Sequence, residues 1–141
     1  MEKQEILFRG LSLKTREWVF GYYAFFPEYK GPGTVNRDPG RHIIATKKER
    51  AVDVCHETVT QYTGLKDSQG RMIFKGDIVE ASIYADEKPS ILEVYWSKGC
   101  YVIDYEDSES DYIPIGWFTG EIKVVGNIFE NSELLTERKN D

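Results

Sequence analysis

Apolar positions in this 141-residue chain come in short blocks separated by polar turns, with little of the three-to-four-residue recurrence that marks a helix. "ILFRGLSL" (6 to 13) and "EWVFGYYAFF" (17 to 26), joined by "KTR", predict a β-hairpin. "PEYKGPGTVNRDPGR" (27 to 41) holds three prolines, three glycines and an asparagine, which forbid a regular ladder and predict a long surface loop. "HIIATK" (42 to 47) and "RAVDVCHETVTQYTG" (50 to 64) read as strands; in the second, Val52, Val54 and His56 alternate imperfectly with Asp53, Cys55 and Glu57. From Asp77 onward "DIVEASIY", "ILEVYW", "CYVIDYE", "YIPIGWF" and "IKVVGNIFE" form a meander of five short strands, the pattern of a small closed or nearly closed barrel. "NSELLTERKND" predicts one short C-terminal helix, with an Asn or Ser cap ahead of Glu133 and with Arg138 and Lys139 in its last turn.

Between the two β-rich regions lies "TGLKDSQGRMIFKGDIVE" (63 to 80), with two glycine turns close together. Asp67 to Gly70 fits a type I turn in which the Asp67 carboxylate accepts from amides two residues on, and Lys75-Gly76-Asp77 makes a second bend. Ile73 and Phe74 would then be pinned into a core. Asp67, Gly70, Gly76 and Asp77 are thus expected to steer the chain rather than to hold a ligand. They join an N-terminal β-rich part (1 to 76) to a C-terminal barrel with a short helix (77 to 141), the two making one compact unit.

Composition supports sheet structure, since aromatic residues make up 13% of the chain and favour half-buried pleated surfaces. Charge is unevenly placed. Residues 1 to 60 hold 10 Lys+Arg against 8 Asp+Glu, and residues 61 to 141 hold 8 against 16. The acidic half repels phosphate, which disfavours nucleic acid there, and attracts a basic partner. An uncharged stretch such as "YIPIGWFTG" (112 to 120) is about half the length a membrane-spanning helix needs, and "MEKQEILFRG" lacks the order of a signal peptide. A soluble cytoplasmic protein with no membrane partner is expected. Cys55 and Cys100 stand apart and read as small hydrophobes.

Several groups of residues carry chemistry that can be weighed. Asp104, Glu106, Asp107, Glu109 and Asp111 concentrate carboxylates in "DYEDSESD", which reads as a solvated hairpin tip, as a surface for a basic partner, or as a hard-cation site. A calcium loop begun at Asp107 would place Tyr112 where a glycine is needed and Phe118 where a bidentate glutamate is needed. His42, His56, Cys55 and Cys100 suffice chemically for zinc but lack paired spacing, and Cys55 and His56, adjacent on a strand, would point to opposite faces. No phosphate-binding loop or nucleophile elbow occurs. Tyr84, Tyr95, Trp96, Tyr101, Tyr105 and Trp117 could form a base-stacking platform on the barrel, though in acidic surroundings. No catalytic residue, metal or cofactor is assigned.

"QYTGLKDSQGRMIFKGDIV" (61 to 79) resembles the signature of the YopX family, small proteins encoded by bacteriophages and prophages. "FRGLSLKTREWVFGYY" (8 to 23) resembles that family's opening hairpin, and "VVGNIFENSELL" (124 to 135) its closing strand and turn. The resemblance implies a mainly β protein whose C-terminal barrel is SH3-like, of unassigned biochemical role. The resulting expectation is a non-enzymatic accessory protein of a phage or prophage that works in the bacterial host cytoplasm. It would bind another protein, as a homo-oligomer, through the loop 27 to 41 and the acidic tip. The alternative is a single-stranded nucleic-acid binder using the barrel aromatics.

Overall fold

The computed structural model describes residues 5–27, 40–84, 86–105 and 112–139, so most of the expected loop 27 to 41 and most of the acidic tip lie outside the described residues. Two compact units divide the chain, Met1–Tyr62 and Thr63–Asp141. The structure is mainly β: twelve strands and one α-helix are present among the described residues, and no described helix is long and apolar enough to cross a membrane.

In the first unit β1 (Phe8–Leu11) and β2 (Trp18–Phe26) form the expected antiparallel hairpin, with Phe8 opposite Gly21 and Leu11 opposite Trp18. The later part of β2 pairs with β3 (Arg41–Ala45), Tyr22 facing Ala45 and Phe26 facing Arg41. β3 continues the sheet to the two-residue β4 (Val52–Asp53). The expected single strand over 50 to 64 is instead two. A turn of 3-10 helix at His56–Thr58 separates β4 from β5 (Thr60–Lys66), and the start of β5 lies beside β1. Thr58 holds this break: its hydroxyl donates to the Cys55 carbonyl at 2.7 Å and accepts from the Leu11 amide at 2.9 Å, so the chain bends where alternation fails. One face of the sheet is packed around Ile44 and Val54.

The second unit begins within β5, ahead of the joint at 76 drawn from the sequence. Ile73 of β6 (Met72–Phe74) belongs to its core together with Val79, Leu92, Val94, Ile103 and Ile122, which is why the turn region groups with the later strands. β7 (Asp77–Ser82) is flanked by β8 (Ser90–Glu93) and by β12 (Glu121–Asn127). β9 (Tyr95–Ser97), β10 (Cys100–Ile103) and β11 (Ile113–Pro114) form a second antiparallel sheet.

The expected strand "ILEVYW" is thus broken at Val94, which is fully buried. Val94 accepts from the Gly76 amide at 2.8 Å and donates to the Asp77 carbonyl at 2.9 Å, which turns the chain from one sheet into the other. Among the described residues β11 and β12 are edge strands of different sheets, so no closed barrel is formed there and the expected closed or nearly closed SH3-like barrel is not established. Closure would need a ladder between them. The helix α1 (Glu133–Lys139) ends the described chain. Asn131, an expected cap, uses its carboxamide oxygen to accept from the Asn127 amide at 3.2 Å, so that side chain serves the strand end.

Gly76 sits at φ 87°. A side chain there would meet Ile128 and Phe129 at ordinary contact distance, 3.5 Å, so a substitution is costly through the backbone rather than through space. Gly76→Val is expected to lose about 2 kcal/mol in urea denaturation, a left-handed conformation being resisted by a β-branched residue. Gly116→Ala, where the nearest atom is Leu65 Cδ1 at 3.7 Å and φ is unremarkable, is expected to stay within about 0.5 kcal/mol of the parent. Equal losses in the two variants would contradict this account of the bend.

Candidate functional site

The turn at 67 to 71 looked from its composition like a ligand loop or a steering device, and its polar groups are occupied by the protein itself. Asp67 Oδ1 accepts from the amides of Gln69 at 2.9 Å and Arg71 at 2.8 Å, and Oδ2 accepts from the Val124 amide at 2.9 Å. Ser68 exchanges two bonds with Ile122: its amide donates to the Ile122 carbonyl at 2.8 Å and its hydroxyl accepts from the Ile122 amide at 3.0 Å. Arg71 reaches the Val124 carbonyl at 3.1 Å. Gly70, at φ 83°, closes the turn by donating to the Asp67 carbonyl at 3.0 Å. Burial pushes the Asp67 carboxyl up, but three amide donors and the Arg71 charge outweigh it and hold it below the usual carboxylate range. Asp77 does the same work at the second bend, its carboxylate accepting from the Phe74 amide at 2.8 Å.

Of the acidic tip, Asp104 is described, and Glu106, Asp107, Glu109 and Asp111 lie outside the described residues. Asp104 accepts from the Tyr95 hydroxyl at 2.5 Å. Its charge also acts on Glu93, whose carboxyl is raised first by burial and then by Asp104, against the opposing charge of Lys75. Among the described residues no group of three or more His, Cys, Asp or Glu could hold a metal ion. His42 and His56 do come together, their rings stacked 5.1 Å apart. His42 is also stacked on Phe25 at 4.2 Å, and its Nδ1 lies 2.5 Å from the Tyr23 hydroxyl. Cys55 belongs to the first unit and Cys100 to the second.

The six aromatics considered for base stacking do not form one platform. Tyr105 is a core residue packed edge-on against Phe118, with its hydroxyl on Glu87, and Tyr101 is half-buried against the edge of Trp96. Tyr84, Trp96 and Trp117 are exposed, Trp117 by 79%. Sequence reasoning missed a second aromatic surface. On β2, Phe20, Tyr22 and Phe26 fall on one face by strand alternation, and all three are exposed, Tyr22 by 71%. A groove of about 740 Å³ crosses this face, lined by Leu7, Trp18, Phe20 and Tyr22 on one side and by Ala45 to Glu49 on the other. The signal was available as the i, i+2 spacing of rings in "WVFGYYAFF", but the hairpin reading gave those rings no role of their own.

A family model described as YopX protein matches residues 7–136. The chain belongs to the YopX family. The match includes the Asp67 turn, the Gly76 bend and the closing β12, so the hydrogen-bonded joint of this YopX-family chain lies within the matched span. The crystal structure of protein EF1440 from Enterococcus faecalis is similar, with a TM-score of 0.50 and 21% identity over 94% of this chain and 99% of that one. At that identity the likeness concerns the fold. No curated protein matches.

Asp67→Asn is expected to cost about 2 kcal/mol at neutral pH, because an amide nitrogen facing the Val124 amide leaves a buried donor unsatisfied. With the folded-state pKa below the unfolded value of about 3.9, the carboxylate's stabilisation is complete above that value and is lost as pH falls through the lower folded one. Urea denaturation of parent and variant should therefore differ by a constant amount from about pH 6 to 8 and converge in acid. A gap that widened in acid would contradict the assignment.

Proposed function

We propose that this YopX-family protein is a non-enzymatic accessory protein of a bacteriophage or prophage that works in the host cytoplasm by binding another protein, itself as a homo-oligomer. The observation that carries this reading is the surface of the second unit, where the large side chains of Trp96, Trp117 and Tyr84 stand exposed on a unit with 8 Lys+Arg against 16 Asp+Glu. Large exposed aromatics are enriched as anchors in protein interfaces, and a surrounding acidic field steers a basic partner towards them. The polar groups of the Asp67 turn, spent on internal hydrogen bonds, direct attention away from that stretch.

Co-purification from host cells carrying the phage tests the reading. The parent should capture a partner whose recovery falls as salt is raised from about 0.05 to 0.5 M, as screening shortens the reach of the acidic field. Trp96→Ala with Trp117→Ala should lose that partner, and conversion of Asp107, Glu109 and Asp111 to Ser should weaken its capture. Identical partners in equal yield from all variants would remove this surface from the account, and a monomer in light scattering would remove the oligomer.

A further inference from the structure

Charge and exposed aromatics are distributed differently in the first unit, which holds 10 Lys+Arg against 8 Asp+Glu. The β1–β2 and β3–β4 connections leave the sheet at the same end. β1 and β3 both run antiparallel to β2, and the end of each lies towards the start of that strand, Leu11 opposite Trp18 and Ala45 opposite Tyr22. The Leu13 amide donates to the Asp53 carbonyl at 2.9 Å, which ties the first connection to β4. Five exposed cations, Lys14, Arg16, Lys47, Lys48 and Arg50, thereby gather at one sheet end against two carboxylates, Glu17 and Glu49.

Both connections are held in shape by their own hydrogen bonds. Ser12 Oγ accepts from the Lys14 and Thr15 amides at 3.2 Å each, and the Arg16 amide donates to the Ser12 carbonyl at 2.9 Å. In the other connection, Thr46 Oγ1 accepts from the Glu49 amide at 2.9 Å, and the Thr46 amide donates to the Glu49 carbonyl at 2.8 Å. Little backbone entropy is left to lose on binding at this end. Directly beside it, Phe20 and Tyr22 lie two residues apart on one strand face, roughly 7 Å along the chain, and border the groove that Lys47 and Lys48 also line.

We propose that this end of the first unit's sheet binds single-stranded nucleic acid, with bases stacked on Phe20 and Tyr22 and phosphates placed against the two basic connections. Rings at regular spacing flanked by cations are what an unpaired strand requires, since every base offers a stacking face and every linkage a negative charge. A duplex conceals the base faces. An acidic protein would answer the cations and could pack on the rings, but it has no need of two rings one strand repeat apart, whereas successive unpaired bases do. Glu5, Glu17 and Glu49 also line the groove. They oppose phosphate and make binding modest and sensitive to salt. This site goes beyond the protein-binding reading and shares no residue with the surface proposed for it.

Fluorescence anisotropy with labelled oligo-dT and oligo-U of about 20 nucleotides tests the proposal. Saturable binding to either oligomer at 50 mM salt is expected, with a log–log salt slope of about −2 to −3.5 for three to five neutralised phosphates on a single strand. The two oligomers separate a DNA preference from an RNA preference. Tyr22→Ala, at an exposed position where folding should be unaffected, is expected to weaken binding about 10-fold. Lys47→Glu with Lys48→Glu should weaken it at least as much and flatten the slope, while Trp117→Ala in the other unit leaves it unchanged. Circular dichroism confirms that each variant is folded. No anisotropy change at 50 mM salt would overturn the proposal. So would loss in the lysine variant with none in Tyr22→Ala, or equal displacement by poly-glutamate, either of which marks plain attraction for polyanions.

Discussion

The carboxylate of Asp67 is the fixed point of the second unit. Three amides converge on it, two from its own turn and one from β12, a strand more than fifty residues later in the chain. A buried carboxylate without such donors would be costly; with them, it joins a local turn to a distant strand through charge-assisted bonds. The neighbouring contacts follow from that position. Ser68 can exchange two bonds with Ile122 because Asp67 has already brought the turn there, and Ile122 enters the core on the same strand. The irregularity between Val124 and Gly126 falls directly after the residue whose amide Asp67 takes.

How much of this was legible in the sequence depends on how local the cause is. Asp67, Gly70 and Gly76 are readable because turn chemistry acts on a residue's own neighbours, and their roles appear in the structure as the residue types imply. The breaks at Val94 and at His56–Thr58 are not readable in that way. Val94 is interrupted by partners at Gly76 and Asp77, and the 3-10 turn is held partly by Leu11, so each depends on a strand far away in sequence. Whether the barrel closes was not legible for the same reason. Strand count and spacing constrain which segments are extended, and leave open whether the last edge meets the first.

The aromatic residues give the same lesson on the functional side. Tyr105 and Tyr84 are alike in sequence context, yet one is packed against Phe118 and the other is exposed. Exposure of a ring is decided by which face the neighbouring strands cover, and that is set by register. The charge asymmetry was legible, and it follows the boundary at Tyr62 closely enough that each unit has its own electrostatic character. Two surfaces of opposite preference can therefore be carried by one short chain.

The segment Ser90–Ser97 supplies β8 to one sheet and β9 to the other, with Val94 bonded at the crossing to the bend at Gly76. A segment shared in this way couples the two sheets, because a slip of β8 along β7 is carried through Val94 into β9 and its pairing with β10. The registers of the two sheets are therefore not independent: the two backbone bonds that hold Val94 to Gly76 and Asp77 set both at once, and a residue inserted or deleted within Ser90–Ser97 would turn the side chains of one sheet onto the wrong face.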